Sequence, residues 1–437
     1  MLKLTTNDSE GKTSEITQSL DELAREGARR MILAALELEV DHYVQELHHL
    51  RDEVGHAVVV RNGHARERTV QLGAGPIKVS APRVNDRRPD QHFTSHILPP
   101  YMRRSPRLEE ALPVLYLRGL STGDFSEALG VLLGPEAAGF SATTITRLLK
   151  VWQEEYQVWR TRSLEGKEYV YIWADGVYFN VRLGDDRLAC LVIAGVLPDG
   201  RKEVIALEDG YRESTESWAS VLRDLKRRGM SAPVLAIGDG NLGFWAALRE
   251  VYPETEEQRC WKHKIANVLD KLPKRLQPRA KAMLHEIMYA PDQKGALEEI
   301  VHFSEEYEAR YPKAVETLTK DQDQLLTFFD FPAEHWVHLR TSNPIESPFA
   351  TVKARTKKTK GAGSRQAGLA TAFKLLLAAE DRWRKLSAPH LVALVKAGVK
   401  FPNGRAEMFQ SEKPGDDSLF SQTPSICAAS EVTIHNI

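Results

Sequence analysis

Two apolar stretches decide the fold: Tyr169-Val-Tyr-Ile-Trp-Ala-Asp-Gly176 and Val234-Leu-Ala-Ile-Gly-Asp-Gly240. Each is a run of β-branched, aromatic and aliphatic residues, which is typical of a buried strand, and each ends in an aspartate beside glycine. Consecutive strands and then alternating helices and strands predict a mixed sheet covered by helices, an α/β fold. The elements predicted between the two stretches are strands at Tyr178–Leu183, Leu188–Leu197 and Glu203–Leu207 and a helix at Trp218–Arg228.

Length and composition place the chain among globular proteins. Its 437 residues correspond to roughly three domains at about 150 residues each. The hydrophobic fraction of 42% and the charged fraction of 27% exclude disordered, collagen-like and coiled-coil classes. The longest apolar run, Leu188–Leu197, is too short to span a membrane, and Met1–Glu10 lacks a signal-peptide pattern. Three scattered cysteines do not predict a disulfide framework. We therefore expect a cytoplasmic protein with no membrane partner.

The net charge of −1 hides a segregation of charge along the chain. Twelve acidic and five basic residues lie in Asp8–Glu53, whereas Arg61–Arg107 carries ten basic and three acidic residues, and Lys353–Lys385 ten and two. Basic stretches of this kind are either solvated faces or binding sites for a polyanion such as DNA. The DNA-binding candidates in the two stretches are Arg61, Arg66, Arg68, Arg83, Arg103 and Arg104, then Lys353, Arg355, Lys357 and Lys358.

Helical periodicity dominates the N-terminal region. Residues 15–53 are predicted to form a helix whose apolar face packs internally or dimerises. Residues 61–107 are predicted to form an extended basic arm with a hairpin between Thr69–Leu72 and Ile77–Ser80. After a helix that begins at Arg107 and stops at Gly119, two further helices permit a helix-turn-helix. Its second helix, Ala142–Trp152, would offer Thr143, Thr146, Arg147 and Lys150 to a DNA groove, although a plain helical hairpin gives the same pattern.

Three carboxylates are the candidates for metal chemistry. Asp175 and Asp239 follow predicted strands, which is where sheet proteins place metal ligands, but also where turns and helix caps occur. Glu346, in Thr341-Ser-Asn-Pro-Ile-Glu-Ser-Pro348, would complete a site for hard cations such as Mg²⁺. It also stands at the capping-box position of a helix that begins after Asn343. A helix that starts at Ser347 to accommodate Pro348 would leave Glu346 before the helix.

Several motifs, taken in order, resemble those of bacterial transposases of the Mutator superfamily from about residue 20 to about residue 400. The resemblance implies an RNase H-like core with an Asp-Asp-Glu triad, here Asp175, Asp239 and Glu346, interrupted by a helical insertion. Residues 260–335, which look helical throughout, fit that insertion. The motifs are Arg61-Asn-Gly63, Leu117-Arg-Gly-Leu-Ser-Thr122, Asp175-Gly176, Gly238-Asp-Gly240, Cys260-Trp-Lys-His263 and Ser342-Asn-Pro-Ile-Glu346.

The resemblance further implies a DNA transposase that acts at terminal inverted repeats and joins the freed 3′-hydroxyl to target DNA. The triad would hold two Mg²⁺ ions, with Mn²⁺ chemically compatible. Because two DNA ends must be joined, the protein would work as a homodimer or higher oligomer on double-stranded DNA, associated with the bacterial nucleoid. A nuclease without strand transfer and a non-catalytic or domesticated DNA-binding regulator are the alternatives.

Two smaller features leave alternatives open. Cys260 and His263 form half of a zinc site, but no convincing second half is present in the sequence, so support of the core by packing or hydrogen bonding is preferred. Trp336 either stacks on a DNA base or packs in the core.

The predicted architecture is therefore an α/β, RNase H-like catalytic core, a mixed sheet with flanking helices, interrupted by an all-helical insertion and preceded by a mainly helical DNA-binding and dimerisation region. The predicted segments are 1–60 (helical, dimerisation), 61–165 (basic arm and DNA-binding helices), 166–262 (first part of the core), 263–340 (helical insertion), 341–405 (C-terminal helices of the core) and 406–437 (disordered tail).

Overall fold

The structure is a computed structural model of the chain. It describes residues 4–7, 13–16, 19–120, 124–133, 142–180, 187–210, 214–240, 242–358, 361–362 and 364–407. Residues 408–437, which make up nearly all of the predicted tail, lie outside the described residues. In the described part of the chain, no helix is long and apolar enough to cross a membrane.

The N-terminal region is a helix packed on short antiparallel strand pairs. The predicted helix over 15–53 is shorter in the structure, because Ser19 and Glu22 form a capping box that starts it at Leu20. Residues 61–107 are folded against this helix and are not a free arm, since Leu36, Val70 and Ile77 share a small core. The elements are β1 (Leu4–Asn7), β2 (Thr13–Ile16), α1 (Leu20–Glu46), β3 (Val59–His64), β4 (Arg68–Leu72), β5 (Gly75–Val79) and β6 (Pro82–Asp86).

Strand pairing in this region confirms one prediction and adds two further pairs. One of them is β1–β2, so the predicted helix over 15–53 is wrong at residues 15 and 16. The predicted hairpin is β4–β5, in which Leu72 lies opposite Gly75. Strands β3 and β6 also pair antiparallel, which sequence analysis missed because prolines and arginines mask the alternation of apolar residues.

Three helices connect this region to the sheet. They are α2 (Pro106–Leu117), α3 (Asp124–Leu133) and α4 (Ala142–Arg160). The predicted stop of the first helix at Gly119 is confirmed, because that glycine adopts a φ of +113°. The last helix continues eight residues beyond the predicted end at Trp152. The turn between α3 and α4, which would decide for or against a helix-turn-helix, lies outside the described residues.

A five-stranded mixed sheet forms the centre of the molecule, in the spatial order β11-β10-β7-β8-β9. The strands β7, β8 and β9 are antiparallel neighbours, whereas β10 and β11 run parallel to β7. The elements of this region are β7 (Tyr171–Asn180), β8 (Arg187–Val196), β9 (Lys202–Gly210), α5 (Thr215–Arg227), β10 (Leu235–Gly238), α6 (Leu242–Val251) and β11 (Glu256–Arg259).

One sequence prediction about these strands was wrong, and one strand was not predicted. The first two predicted strands, separated at Asp175–Gly176, are the single strand β7. The strand does not turn there because it pairs with β8 along its whole length, with Asp175 opposite Val192. Strand β11 was missed because its sequence, Glu-Glu-Gln-Arg, is polar.

Helices cover both faces of the sheet. Side chains alternate between the faces, so Ile172 and Ala174 pack under α5 and α6, whereas Tyr171 and Trp173 face a larger core on the other side. The larger core contains the helices that follow β11, and these helices therefore form one packed body with the sheet. They are α7 (Trp261–Leu269), α8 (Gln277–Met288), α9 (Gln293–Tyr307), α10 (Pro312–Thr319), α11 (Gln322–Leu326), α12 (Trp336–Leu339), α13 (Asn343–Lys358), α14 (Arg365–Glu380) and α15 (His390–Lys396).

Candidate active site

The two predicted aspartates lie at the same level on neighbouring strands. Gly238, the last residue of β10, pairs in parallel with Ala174 of β7, so Asp175 is the next residue of β7 and Asp239 the first residue after β10. Asp175 alternates onto the same face as Trp173 and is only 8% exposed. Its Oδ1 accepts a hydrogen bond from the backbone N–H of Gly176 (2.8 Å). The sheet therefore brings two carboxylates together at its centre.

Glu346 joins them from helix α13, which packs across β7. The helix begins at Asn343 and contains Pro348, so the alternative start at Ser347 was wrong, and Glu346 lies in the first turn. Its carboxylate contacts the Lys262 ammonium through Oε2. Its Oε1 accepts a hydrogen bond from the Ser342 hydroxyl (2.7 Å). Glu346 is thus held in place by Lys262, in the first turn of α7, and by Ser342, directly before α13.

The Cys-x2-His motif lies directly beside Glu346. Cys260 lies between β11 and α7, and its backbone N–H donates to the Gly238 carbonyl (2.7 Å). Its Sγ accepts a hydrogen bond from the backbone N–H of Ser342 (3.3 Å). The Nδ1 atom of His263 lies 3.9 Å from Oε1 of Glu346. Cys260, His263 and Glu346 offer ligand atoms within 4.8 Å of one another, so these three groups could hold a metal ion.

Burial and neighbouring charges shift the pKa values of Asp175, Glu346 and His263. Desolvation, together with the charge of Asp239, raises the pKa of Asp175 to about 7. Burial also disfavours ionised Glu346, but the hydrogen bonds from Lys262 and Ser342 outweigh it and lower the pKa of that carboxyl. Contact with Cys260 raises the pKa of His263 to about 9. The three carboxylates therefore concentrate negative charge, which the nearby side chains of Lys262 and His263 compensate.

A buried ion cluster connects the helices after β11 to the Asp239 turn. Lys264 is completely buried and contacts Asp321, which also accepts from the Arg259 guanidinium. Lys264 Nζ further donates to the Thr317 carbonyl (2.6 Å). Gly240, with a φ of +89°, packs so closely on the Arg259 guanidinium that a methyl group would overlap it. This cluster was not predicted, because nothing in the sequence links Lys264 with an aspartate 57 residues away.

Several predicted DNA-binding residues are instead bound within the protein. Arg61 pairs with Glu37 on α1, and Arg68 donates to the backbone carbonyls of Leu98 and Pro99. Arg355 is buried and donates to the Tyr116 carbonyl (2.7 Å), so its predicted place on a DNA-binding surface was wrong.

Trp336 is also buried. Its indole N–H donates to the Phe331 carbonyl (2.8 Å), and its ring packs against Phe328 and Phe329. Of the two alternatives, the structure shows core packing, because a base could not reach the ring.

Most of the remaining basic candidates lie on the surface. Arg104 is mostly covered and lies 3.5 Å from Glu109, and the side chain of Lys358 lies outside the described residues. Lys353 and Lys357 are seven and eleven residues after Glu346, which places all three on one face of α13. The exposed candidates are Arg66, Arg83, Arg103, Arg147, Lys150, Lys353 and Lys357.

Comparison with known proteins shows the family of the chain. Residues 2–385 match the family model described as transposase, Mutator family. The chain belongs to that family of transposases.

Individual relatives are transposases of bacterial insertion sequences. The chain is 58% identical to the transposase for insertion sequence element IS6120 of Mycolicibacterium smegmatis, over 68% of this chain and 92% of the relative. It is 49% identical to the IST2 transposase of Acidithiobacillus ferrooxidans, over 64% and 94% of the two chains. A more distant relative, the IS905 transposase of Lactococcus lactis, is 29% identical over 78% and 85%. These names support a transposase role for this chain.

Proposed function

We propose that the protein cuts DNA at the terminal inverted repeats of its own insertion sequence and transfers the 3′-hydroxyl to target DNA. The observation that carries this proposal is the meeting of Asp175, Asp239 and Glu346, from two adjacent strands and a helix packed over them. Three antiparallel strands followed by two parallel ones support an RNase H-like description of the sheet. The helices between Asp239 and Glu346 correspond to the expected insertion.

The donor set fits two Mg²⁺ ions, with Mn²⁺ as a compatible substitute. Carboxylate oxygens are the ligands that these hard cations prefer, and the Lys262 ammonium already neutralises Glu346 as a cation would. When bound, the ions would supply an activated water or 3′-hydroxyl and a stabilised leaving oxygen. Asp175, Asp239 and Glu346 would hold them, while Lys353 and Lys357 on the same face of α13 would bind backbone phosphates of the strand. We place this reaction in the bacterial cytoplasm at the nucleoid, with at least two copies of the chain on the DNA.

Strand-specific cleavage and joining of a labelled element end tests the proposal. Purified protein with Mg²⁺ is expected to release a 3′-hydroxyl and join it to other DNA. Asp239→Asn and Glu346→Gln are expected to bind the end and do neither, whereas Glu286→Gln, an exposed glutamate on α8, retains both steps. Cleavage without joining would instead indicate a nuclease, and binding without cleavage a regulator.

Metal affinity is expected to depend on pH through Asp175. A cation binds the ionised carboxylate, so a pKa of about 7 means that a proton competes below that pH. Between pH 6 and 8 the apparent affinity for Mg²⁺ should rise about tenfold, because one group with this pKa ionises over that range. His263, with a pKa of about 9, stays largely protonated there. Calorimetric titration with Mg²⁺ at both pH values measures the change, and equal affinities would refute it.

Lys262 is expected to compete with metal ions. It lies in the first turn of α7, where the helix dipole disfavours a cation, and its contact with Glu346 is the offsetting attraction. Because the side chain is 57% exposed, Lys262→Gln should tighten Mg²⁺ binding only about two- to fivefold. Lys281→Gln on α8 removes the same charge far from the carboxylates and should change nothing. Unchanged or weaker Mg²⁺ binding in Lys262→Gln would contradict the competition.

A further inference from the structure

The fold supplies the Cys-x2-His motif with a third metal-binding side chain that the sequence did not reveal. Cys260 is the N-cap residue of α7 and His263 lies in the first turn of that helix, so both side chains leave the same helix end. Glu346 reaches them from the first turn of α13. One ligand atom of each residue lies within 4.8 Å of the other two.

These distances are close to those around a bound Zn²⁺ ion. The ligand atoms of a tetrahedral Zn²⁺ are about 3.3–3.8 Å apart, because its bonds are about 2.3 Å to sulfur and about 2.0 Å to nitrogen or oxygen. Nδ1 of His263 and Oε1 of Glu346 are 3.9 Å apart. Side-chain movements of about 1 Å would therefore close the three groups around an ion and leave a fourth position for water.

The ring of His263 is a second observation that points to a ligand. Its Nδ1 atom is buried, yet it makes no hydrogen bond with any residue that the structure describes. Oε1 of Glu346, at 3.9 Å, is too far away to accept one. Proteins rarely leave a buried polar atom unsatisfied. A metal ion bound to Nδ1 would satisfy it, and the 35% exposure of the His263 side chain gives the ion a way in.

The sulfur atom is held in place from two sides. Cys260 is completely buried, and its backbone N–H donates to the Gly238 carbonyl (2.7 Å). Its Sγ accepts a hydrogen bond from the Ser342 backbone N–H. The Ser342 hydroxyl lies 3.3 Å from this sulfur and 2.7 Å from Oε1 of Glu346. Hydrogen bonds of this kind orient metal ligands, so one serine orients two of the three groups.

The chemistry of the three groups selects a softer ion than Mg²⁺. Thiolate and imidazole suit Zn²⁺ and Co²⁺, whereas Mg²⁺ takes oxygen ligands. One thiolate and one carboxylate together neutralise a divalent ion. The ion would replace the proton that His263 carries, since metal binding releases protons from its ligands. Lys262 contacts the other oxygen of Glu346, Oε2, and that contact need not break.

We propose that Cys260, His263 and Glu346 bind one Zn²⁺ ion, and that this ion withdraws Glu346 from the Mg²⁺ pair. The second part rests on the proposed function, in which Glu346 is a ligand of Mg²⁺, whereas the first part does not. Glu346 is the one residue common to both sites. When its charge neutralises Zn²⁺, less of it attracts Mg²⁺, and the added positive charge repels the second kind of ion. Zn²⁺ therefore holds the protein in an inactive form.

Titration of the full chain with Co²⁺ tests the Zn²⁺ site, because a thiolate bound to Co²⁺ gives a charge-transfer absorption in the near ultraviolet. All chains carry Cys427→Ser, so that this cysteine cannot contribute. We expect one equivalent of Co²⁺ to produce the absorption and one equivalent of Zn²⁺ to remove it. Cys260→Ser should abolish it. His263→Gln should weaken Co²⁺ binding at least about a hundredfold, since a lost ligand costs more than a lost hydrogen-bond partner of a ligand.

The matched control is the other buried cysteine. Cys190→Ala changes a residue of β8 and should keep the absorption. Circular dichroism shows whether each variant is folded, and His263→Gln, at a partly exposed position, decides the result if Cys260→Ser is not. A chain that gives no charge-transfer absorption, or a folded Cys260→Ser that keeps it, would overturn the proposal.

Calorimetric titration with Mg²⁺ at pH 8 tests the withdrawal of Glu346. A chain that holds one equivalent of Zn²⁺ should bind Mg²⁺ at least about tenfold more weakly than the same chain without Zn²⁺, because of the repulsion between the ions. Zn²⁺ should make no such difference in Cys260→Ser. Equal Mg²⁺ affinities with and without Zn²⁺ would overturn the second part of the proposal. Neither measurement uses DNA or turnover, so failure of the Zn²⁺ site is distinguishable from failure of the transposase chemistry.

Discussion

Asp321→Ala is expected to lower the free energy of unfolding by about 3–5 kcal/mol, the cost of leaving a buried charge without its partner. Asp321 is the counter-ion of both Lys264, which is completely buried, and Arg259, which is nearly so. Burial already lowers the pKa of Lys264 to about 8, which shows how poorly the site tolerates its charge. Urea denaturation of the full chain measures the loss.

A neighbouring acid provides the control. Asp323 lies on α11, two residues after Asp321, and is exposed, so Asp323→Ala should alter stability by no more than about 0.5 kcal/mol. If both alanine variants unfold at the same urea concentration, the buried cluster contributes little and the prediction is wrong.

Gly240→Ala is expected to reduce metal-dependent cleavage about a hundredfold, the loss that a displacement of about 1 Å can cause at a reacting centre. Two effects combine at this position. An L-residue is strained at a φ of +89°, and the new methyl group would displace the Arg259 guanidinium. Either shift moves the adjacent Asp239. Single-turnover nicking of a labelled element end at saturating Mg²⁺ measures the effect.

Gly166→Ala separates the two effects. Gly166 has a similar φ of +74°, but an added Cβ there would meet nothing within 4 Å. We expect this variant to be modestly less stable and to cleave like wild type. Equal losses of cleavage in both variants would mean that backbone strain, and not the contact with Arg259, explains the effect at Gly240.

The apolar strands and the carboxylates they carry were predictable because burial leaves a direct pattern in the sequence. Asp239 follows β10 as predicted, since Val-Leu-Ala-Ile before it has no alternative to a buried strand. Asp175 was placed at a strand end because glycine after aspartate is typical of a turn. Pairing with β8 across both residues, which is a long-range property, keeps the strand straight.

The environment of the carboxylates was much less predictable. Lys262 and Glu346, which are in contact, are 84 positions apart in the sequence. The one local signal is that Lys262 lies in the first turn of a helix, where the helix dipole disfavours a cation. Arg355 belongs by sequence to a basic run, yet it is buried. It lies on the side of α13 opposite Lys353 and Lys357, and its guanidinium donates to the backbone carbonyls of Tyr116 and Leu120. Local sequence cannot tell which arginine of a run faces inward.

The shared core beneath the sheet also constrains the order in which the protein can assemble during synthesis. One face of the sheet is covered mainly by chain from residue 261 onward, apart from α4 with Tyr156, and Phe401 still belongs to that core. A nascent chain that has passed β10 therefore already has Asp175 and Asp239, but leaves an apolar sheet face open and lacks Glu346. Contacts this distant in sequence form late in folding. The proposed active site can thus be completed only after nearly the whole chain has emerged from the ribosome.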